Sequence, residues 1–171
     1  MAIGQFGQTL AKVRSERNEG QGTAARVAYV SQSYISKIEK GERRAPKDVM
    51  KSTVEHYDDP QLAVAAANEA TGGGWIPWLN NTDLHRANTH LKTLEEIEEA
   101  VIALKAAPIT KLRTQMDEHE LQLMKTAIRE CIEAITALTH HVAILCKEYC
   151  FSWMAMWNEH RIKLKASKYI K

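Results

Sequence analysis

The chain has 171 residues, of which 44% are hydrophobic, and this is enough to bury a core in one domain or in two small ones. Lysine and arginine total 23 against 21 acidic residues, so the net charge of +2 excludes binding that rests on overall charge alone. No apolar run approaches the roughly 18 residues of a membrane span, and the first residues do not resemble a signal peptide. We therefore expect a cytoplasmic protein with no membrane partner.

Glycine and proline mark the boundaries between segments, because both interrupt regular elements. The densest interruption is Thr71-Gly72-Gly73-Gly74, which is followed by Trp75 to Trp78 around Pro77. No stretch alternates apolar and polar residues long enough to predict a strand, so the predicted fold class is all-α. We expect an N-terminal domain, a linker and a C-terminal domain, at 1–71, 72–82 and 83–171.

Two short helices joined by a tight turn are predicted between Gly20 and Pro46. The first covers 21–28, and the second covers 32–40 with Ser31 as its N-cap. Val30, Ile35 and Ile38 are expected to point inward, and Gly41 is expected to end the second helix. The outward side chains of the second helix are polar, and a basic loop follows it. This combination predicts docking into the major groove of DNA.

The run VSQSYISKIEKGERR, from Val30 to Arg44, resembles the helix-turn-helix domain of phage Cro and repressor proteins and of xenobiotic-response-element type regulators. The similarity covers about residues 5 to 70 and favours a phage or prophage setting. Tyr29 stands where that family usually has glycine, which predicts either an altered turn or an unfavourable backbone angle. The resemblance implies five helices, and so adds helices near 6–17, 46–57 and 61–70.

The resemblance also implies a role for several side chains. Base-contacting positions of the recognition helix fall on Gln32, Ser33 and Lys37, and a phosphate-contacting position falls on Gln21. Glutamine can pair with adenine, lysine can donate to guanine, and serine suits either base. For Tyr34, packing on its neighbours is an equal alternative to a DNA contact. The other DNA-backbone contacts that we expect are Ser31, Tyr34, Ser36, Lys40, Arg43, Arg44 and Lys47.

Two long amphipathic helices are predicted after the linker, forming a helical hairpin. The first ends near Pro108, and its apolar stripe is Leu84, Ala87, Leu91, Leu94, Ile97, Val101 and Leu104. The stripe of the second alternates three- and four-residue steps, as in a coiled coil. A second copy would cover such stripes, whereas the alternative is a hairpin folded back on its own N-terminal domain. The expected homodimer contacts are Ile128, Ile135, Leu138, Val142, Leu145, Tyr149 and Trp153.

Other clusters in the second half are given structural interpretations. The aromatic run from Phe151 to Trp157 is too apolar for one helix face, so it predicts a dimer core or a protein partner site. Cys146 and Cys150 share a helix face but supply only two ligands, so we expect no metal site. Adjacent acids such as Glu95-Glu96 are interpreted as a solvated surface. No phosphate loop, nucleophile elbow or paired-histidine motif occurs, so we expect neither an enzyme nor a cofactor.

The sequence therefore predicts a sequence-specific DNA-binding transcriptional regulator, in a bacterial cell or a phage-infected host. Acting as a repressor, it would bind double-stranded DNA at a roughly palindromic operator as a homodimer. The alternative is a protein-interaction factor, such as an antitoxin or a DNA-packaging adaptor, whose helix-turn-helix localises it to DNA. A third class, a metal- or ligand-sensing switch, predicts zinc or a small molecule in the purified protein.

Overall fold

The computed structural model describes residues 5–171, and within that range it contains eight α-helices, one short 3-10 turn and no strand. The all-α prediction is confirmed. The residues form two compact units, one that runs to Leu79 and includes Cys146–Lys171, and one formed by Asn80–Leu145. Among the described residues, none of the helices combines the length and the apolar character that a membrane span requires.

Five helices of the first unit form a helix-turn-helix domain. Each begins and ends within one residue of the predicted bounds, and their shared core is built mainly from aliphatic side chains around Phe6 and Tyr57, both 0% exposed. Ile35 and Ile38 lie in that core and Val30 packs against it, as predicted. The five helices are α1 (Phe6–Glu16), α2 (Gln21–Val27), α3 (Gln32–Glu39), α4 (Lys47–Tyr57) and α5 (Pro60–Ala70).

Both ends of α3 are fixed by local hydrogen bonds. At its start, the Ser31 hydroxyl accepts a hydrogen bond from the Tyr34 amide at 3.2 Å, which confirms the predicted N-cap. At its end, Gly41 has a φ of +74°, and the amides of Gly41 and Glu42 donate back to the last turn of α3. This Schellman arrangement needs a left-handed residue, which glycine supplies without strain.

The turn between α2 and α3 has the same geometry, with tyrosine in the left-handed position. Tyr29 has a φ of +54°, and the amides of Tyr29 and Val30 donate to carbonyls of Arg26 and Ala25. The turn is therefore retained, and an unfavourable backbone angle is the cost of tyrosine in place of glycine. The Tyr29 side chain is 93% exposed and so adds little packing in return.

The second unit contains an antiparallel helical hairpin built from α6 (Arg86–Ala106) and most of α7 (Glu118–Glu148). The end of α6 before Pro108 confirms the predicted bound. Thr89 lies opposite His141, and the Thr93 hydroxyl donates to the Ala137 carbonyl oxygen at 3.2 Å. As residue numbers increase along α6, the residues that they contact on α7 decrease in number, so the two helices are antiparallel.

Small and polar side chains form the face on which the two hairpin helices meet. The buried residues there are Thr89, Thr93, Glu96 and Ala100 on α6, and Ala127 and Ala134 on α7. Most of the predicted apolar stripe positions on both helices remain exposed. The stripes therefore do not pack on each other within the hairpin, because the threonine and alanine positions beside them take the buried contact.

The last helix, α8 (Trp153–Ala166), belongs to the first unit. The Met154 amide at its start donates to Asp58 Oδ1 at 2.8 Å, and Lys147 at the end of α7 pairs with Asp59 at 3.1 Å. Asp58 and Asp59 form the turn between α4 and α5, where the Asp59 carboxylate also caps α5. These contacts attach the C-terminal residues to the helix-turn-helix domain.

Candidate nucleic-acid interface

The outward face of α3 carries the three predicted base-contacting side chains. Gln32, Ser33 and Lys37 are all exposed, while Ile35 and Ile38 on the opposite face are at most 2% exposed. Gln32 and Ser33 occupy the first turn of the helix, and Lys37 lies one turn further on. The helix therefore presents amide, hydroxyl and ammonium groups to solvent, and these can read base edges in a major groove.

A group of cations without acidic partners follows α3. Within residues 5–171, none of them forms a salt bridge, although Glu39 and Glu42 are close in sequence. Free cations attract phosphate without first having to break an internal ion pair. All of them are exposed: Lys40, Arg43, Arg44 and Lys47.

Several of the predicted backbone contacts also have partners inside the domain. The Arg43 guanidinium lies 4.4 Å from the centroid of the Tyr34 ring, in a cation–π contact, and Tyr34 also packs against the core. The Gln21 amide donates to Glu39 Oε2 at 2.8 Å. Ser31 is exposed and Ser36 is half-buried. The Ser31 hydroxyl still has its own proton to donate, because it only accepts in the N-cap bond.

The side chain that fixes α3 to the other helices is Glu39, which the sequence analysis did not identify. Arg14 on α1 donates to both Glu39 oxygens at 3.0 Å, and Gln21 on α2 donates to the same carboxylate. The Glu39 side chain is 6% exposed. Its hydrogen bond raises the pKa of Arg14 above the ordinary value, and a bidentate pair of this kind also fixes orientation. One carboxylate thus joins three helices behind the exposed face of α3.

A second polar contact ties α4 to the segment between α1 and α2. The Tyr57 hydroxyl donates to Glu19 Oε2 at 3.1 Å, and the Arg17 guanidinium donates to the Tyr57 carbonyl oxygen. Burial of the phenol, followed by this hydrogen bond, raises the pKa of Tyr57 to about 12. The phenol is therefore a protonated donor at neutral pH, and the contact holds the C-terminal end of α4.

The predicted dimer contacts fall into two groups. Ile128, Ile135, Leu138 and Val142 are between 40% and 59% exposed on the hairpin, and Leu145 beside them is half-buried. Tyr149 is 58% exposed in the first unit, whereas Trp153 is 6% exposed there.

The cysteines of this region are free thiols, and burial raises the pKa of Cys146.

The exposed stripes of α6 and α7 lie on the same side of the hairpin. On each helix a stripe residue directly follows a contact residue, as in Thr93-Leu94 on α6 and Ala137-Leu138 on α7, which places it about 100° further round. Viewed from the N-terminus of each helix, the stripe is therefore displaced in the same direction from the contact face. Because the two helices are antiparallel, this displacement places both stripes on the same side of the hairpin. The resulting surface, here called the hairpin apolar face, comprises Leu94, Val101, Leu104, Ile128, Ile135, Leu138 and Val142.

Comparison with known proteins identifies the type of domain that the first part of the chain forms. Residues 5–67 match the sequence model of a helix-turn-helix domain, a stretch that runs from just before α1 into α5. No curated protein and no solved structure matches the chain. The match and the five-helix fold agree, so the chain carries a helix-turn-helix domain, the domain type of DNA-binding regulators.

Proposed function

We propose that this protein is a sequence-specific DNA-binding transcriptional regulator that represses by occupying an operator. The observation that carries the proposal is the exposed polar face of α3, backed by a buried core and by the Arg14–Glu39 pair. A rigid recognition helix loses little conformational entropy when it enters a major groove. Such a regulator would act where the DNA is, in the cytoplasm of a bacterial cell or a phage-infected host.

The proposed contacts divide into those that select a sequence and those that hold the backbone. Gln32, Ser33 and Lys37 would contact base edges, where a good bidentate pair discriminates by about 1 to 3 kcal/mol. Arg43 and Arg44 would bind phosphates on any sequence and make affinity depend on salt. The same role is proposed for Gln21, Ser31, Tyr34, Ser36, Lys40 and Lys47.

The second part of the proposal is that two copies of the chain dimerise through the hairpin apolar face. This face places seven large aliphatic side chains, each at least 40% exposed, on one side of two helices. A second copy docked on it would close a four-helix arrangement and remove that apolar surface from water. A two-fold axis would relate the two recognition helices, so the expected operator is roughly palindromic with half-sites about 34 to 36 Å apart.

The DNA contacts are tested with variants on an operator first selected from random fragments. Gln32→Ala and Lys37→Ala are each expected to weaken binding to that operator by about 10- to 100-fold, with little change on random DNA. Arg43→Ala should weaken binding to both DNAs and reduce the slope of log affinity against log salt by about one. Lys105→Ala, which removes an exposed cation of α6, is the control. Equal losses on operator and random DNA for all three variants would contradict the assigned roles.

The dimer is tested with a charge placed in the hairpin apolar face. Ile135→Lys should raise the dimer dissociation constant at least about 100-fold, because the charge enters the interface twice and two buried isoleucines are lost. Sedimentation equilibrium measures the constant. Ile102→Lys is the matched control, since Ile102 is 67% exposed on the same hairpin but lies outside this face. A monomeric wild-type protein, or equal effects of the two variants, would count against the dimer.

The second candidate function is that of a protein-interaction factor localised to DNA by its helix-turn-helix. It is favoured by the aromatic side chains near the start of α8, where Phe151 is 60% and Trp157 48% exposed. Exposed aromatics of this kind are common in protein interfaces. Light scattering separates the two functions, since a ring or an obligate hetero-complex favours this candidate and a dimer favours the operator model.

A further inference from the structure

Three carboxylates from the two hairpin helices converge on one point. Glu96 projects from α6, and Glu130 and Glu133 project from α7, with one oxygen of each lying within 4.8 Å of the others. Sequence analysis interpreted Glu95-Glu96 as solvated surface, but the structure buries Glu96 to 7% exposure, because it lies on the face where α6 meets α7. Negative charges therefore oppose each other across the middle of the hairpin.

The cations beside this cluster leave part of that repulsion in place. Lys92 Nζ lies 2.8 Å from Glu96 Oε1, and Arg129 Nη2 lies 2.9 Å from Glu130 Oε1. Each cation belongs to the same helix as its acid, and both are more than half exposed. Over residues 5–171, no salt bridge joins α6 to α7 at this level. Two cations against three carboxylates leave the cluster with one net negative charge.

One oxygen of the buried carboxylate has no partner. Glu96 Oε2 is shielded from solvent and makes no hydrogen bond to any residue between 5 and 171. A buried charged oxygen in this state costs more free energy than one that is hydrogen-bonded or bound to a cation. The atom therefore marks a place where a ligand of positive charge would stabilise the hairpin.

We propose that Glu96, Glu130 and Glu133 bind a hard divalent cation that bridges α6 and α7. Oxygen distances of up to 4.8 Å suit three ligands around one ion at 2.0 to 2.6 Å, with water completing its coordination. An all-carboxylate donor set selects Mg²⁺, Mn²⁺ or Ca²⁺ rather than a metal that prefers histidine or thiolate. The bound ion would neutralise the cluster and tie the two helices together. The proposal does not depend on DNA binding.

The test uses the full chain at neutral pH with Mn²⁺ alone as the probe. Loss of the electron paramagnetic resonance signal of free Mn²⁺ should reveal one site per chain. At a Mn²⁺ concentration about 100 times the dissociation constant, the melting temperature of the hairpin should rise by about 5 to 10 °C. Glu96→Gln should weaken Mn²⁺ binding at least 10-fold and abolish the rise, since the neutral amide keeps the shape of the side chain but removes its charge.

Two further variants complete the test. Glu98→Gln, an exposed acid on the same helix, should bind Mn²⁺ and respond to it as the wild type does. Glu133→Gln changes a more exposed member of the cluster, and so tests the site even where Glu96→Gln does not fold. An unchanged melting temperature in Mn²⁺, or a rise of equal size in Glu96→Gln or Glu133→Gln and the wild type, would overturn the proposal.

Discussion

Glu39→Ala is expected to destabilise the helix-turn-helix domain by about 3 to 5 kcal/mol, because it leaves the Arg14 guanidinium without its carboxylate. The Arg14 side chain is only 16% exposed and donates to both oxygens of Glu39 at 3.0 Å. Its remaining hydrogen bond, to the Glu19 carbonyl oxygen at 2.6 Å, does not replace the lost charge. The Gln21 amide loses its acceptor as well. For a chain of this length the change corresponds to a fall in melting temperature of about 10 °C, which circular dichroism measures.

The same variant should also lose DNA affinity at temperatures where it remains folded. Glu39 connects α3 to α1 and α2, so its loss frees the recognition helix to change its angle. Glu42→Ala is the matched control, because Glu42 is an exposed acid three residues further along the chain. If Glu39→Ala and Glu42→Ala melt at the same temperature, the buried ion pair does not hold the domain together.

Gly7→Ala should destabilise the same domain by about 1 to 3 kcal/mol or more, through steric overlap between α1 and α3. A Cβ added to Gly7 would lie 2.8 Å from the Ile38 carbonyl carbon, and closer still to the oxygen of that carbonyl. Neither atom can rotate away, since both belong to the backbone of α3. The two helices would have to separate, with the loss of contacts in a close-packed core.

Gly22→Ala provides the control for this substitution. A Cβ at Gly22 meets nothing within 4 Å, and the residue lies inside α2, where alanine is the better helix former. This variant should therefore melt at or slightly above the wild-type temperature, whereas Gly7→Ala should melt well below it in chemical and thermal unfolding. Equal melting temperatures would show that α1 and α3 can separate without loss of stability.

Much of the candidate interface could be predicted because its signals are local. The cap at Ser31 and the left-handed turn at Gly41 involve residues within a few positions of one another, and both lie where the sequence placed them. The alternation of Ile35 and Ile38 with polar neighbours likewise determined which side of α3 is buried. Hydrophobic period and capping operate over single helical turns, so one sequence is sufficient to find them.

The groups that hold this interface in place could not be predicted in the same way. Arg14 and Glu39 are 25 positions apart, and nothing in the composition of α1 pairs one with the other. Gly7 looks like an ordinary helix glycine until α3 is placed against it. Glu96 looks like one of several surface acids until α7 lies opposite. Each depends on the distance between segments that are remote in the chain.

The sequence by itself determined the all-α class, the bounds of α2 and α3 and the apolar stripes of the long helices, because periodicity and helix caps depend on neighbouring residues. The bounds of α1, α4 and α5 came from the resemblance to the helix-turn-helix family. Only the tertiary structure decided which face of each long helix is covered. It buries threonine, alanine and Glu96 between α6 and α7 and leaves Leu94 and Ile135 exposed, although the stripes have the stronger apolar pattern. The physical reason is that an apolar stripe shows only which surface of a helix is hydrophobic, whereas the packing of whole helices determines which residues become buried.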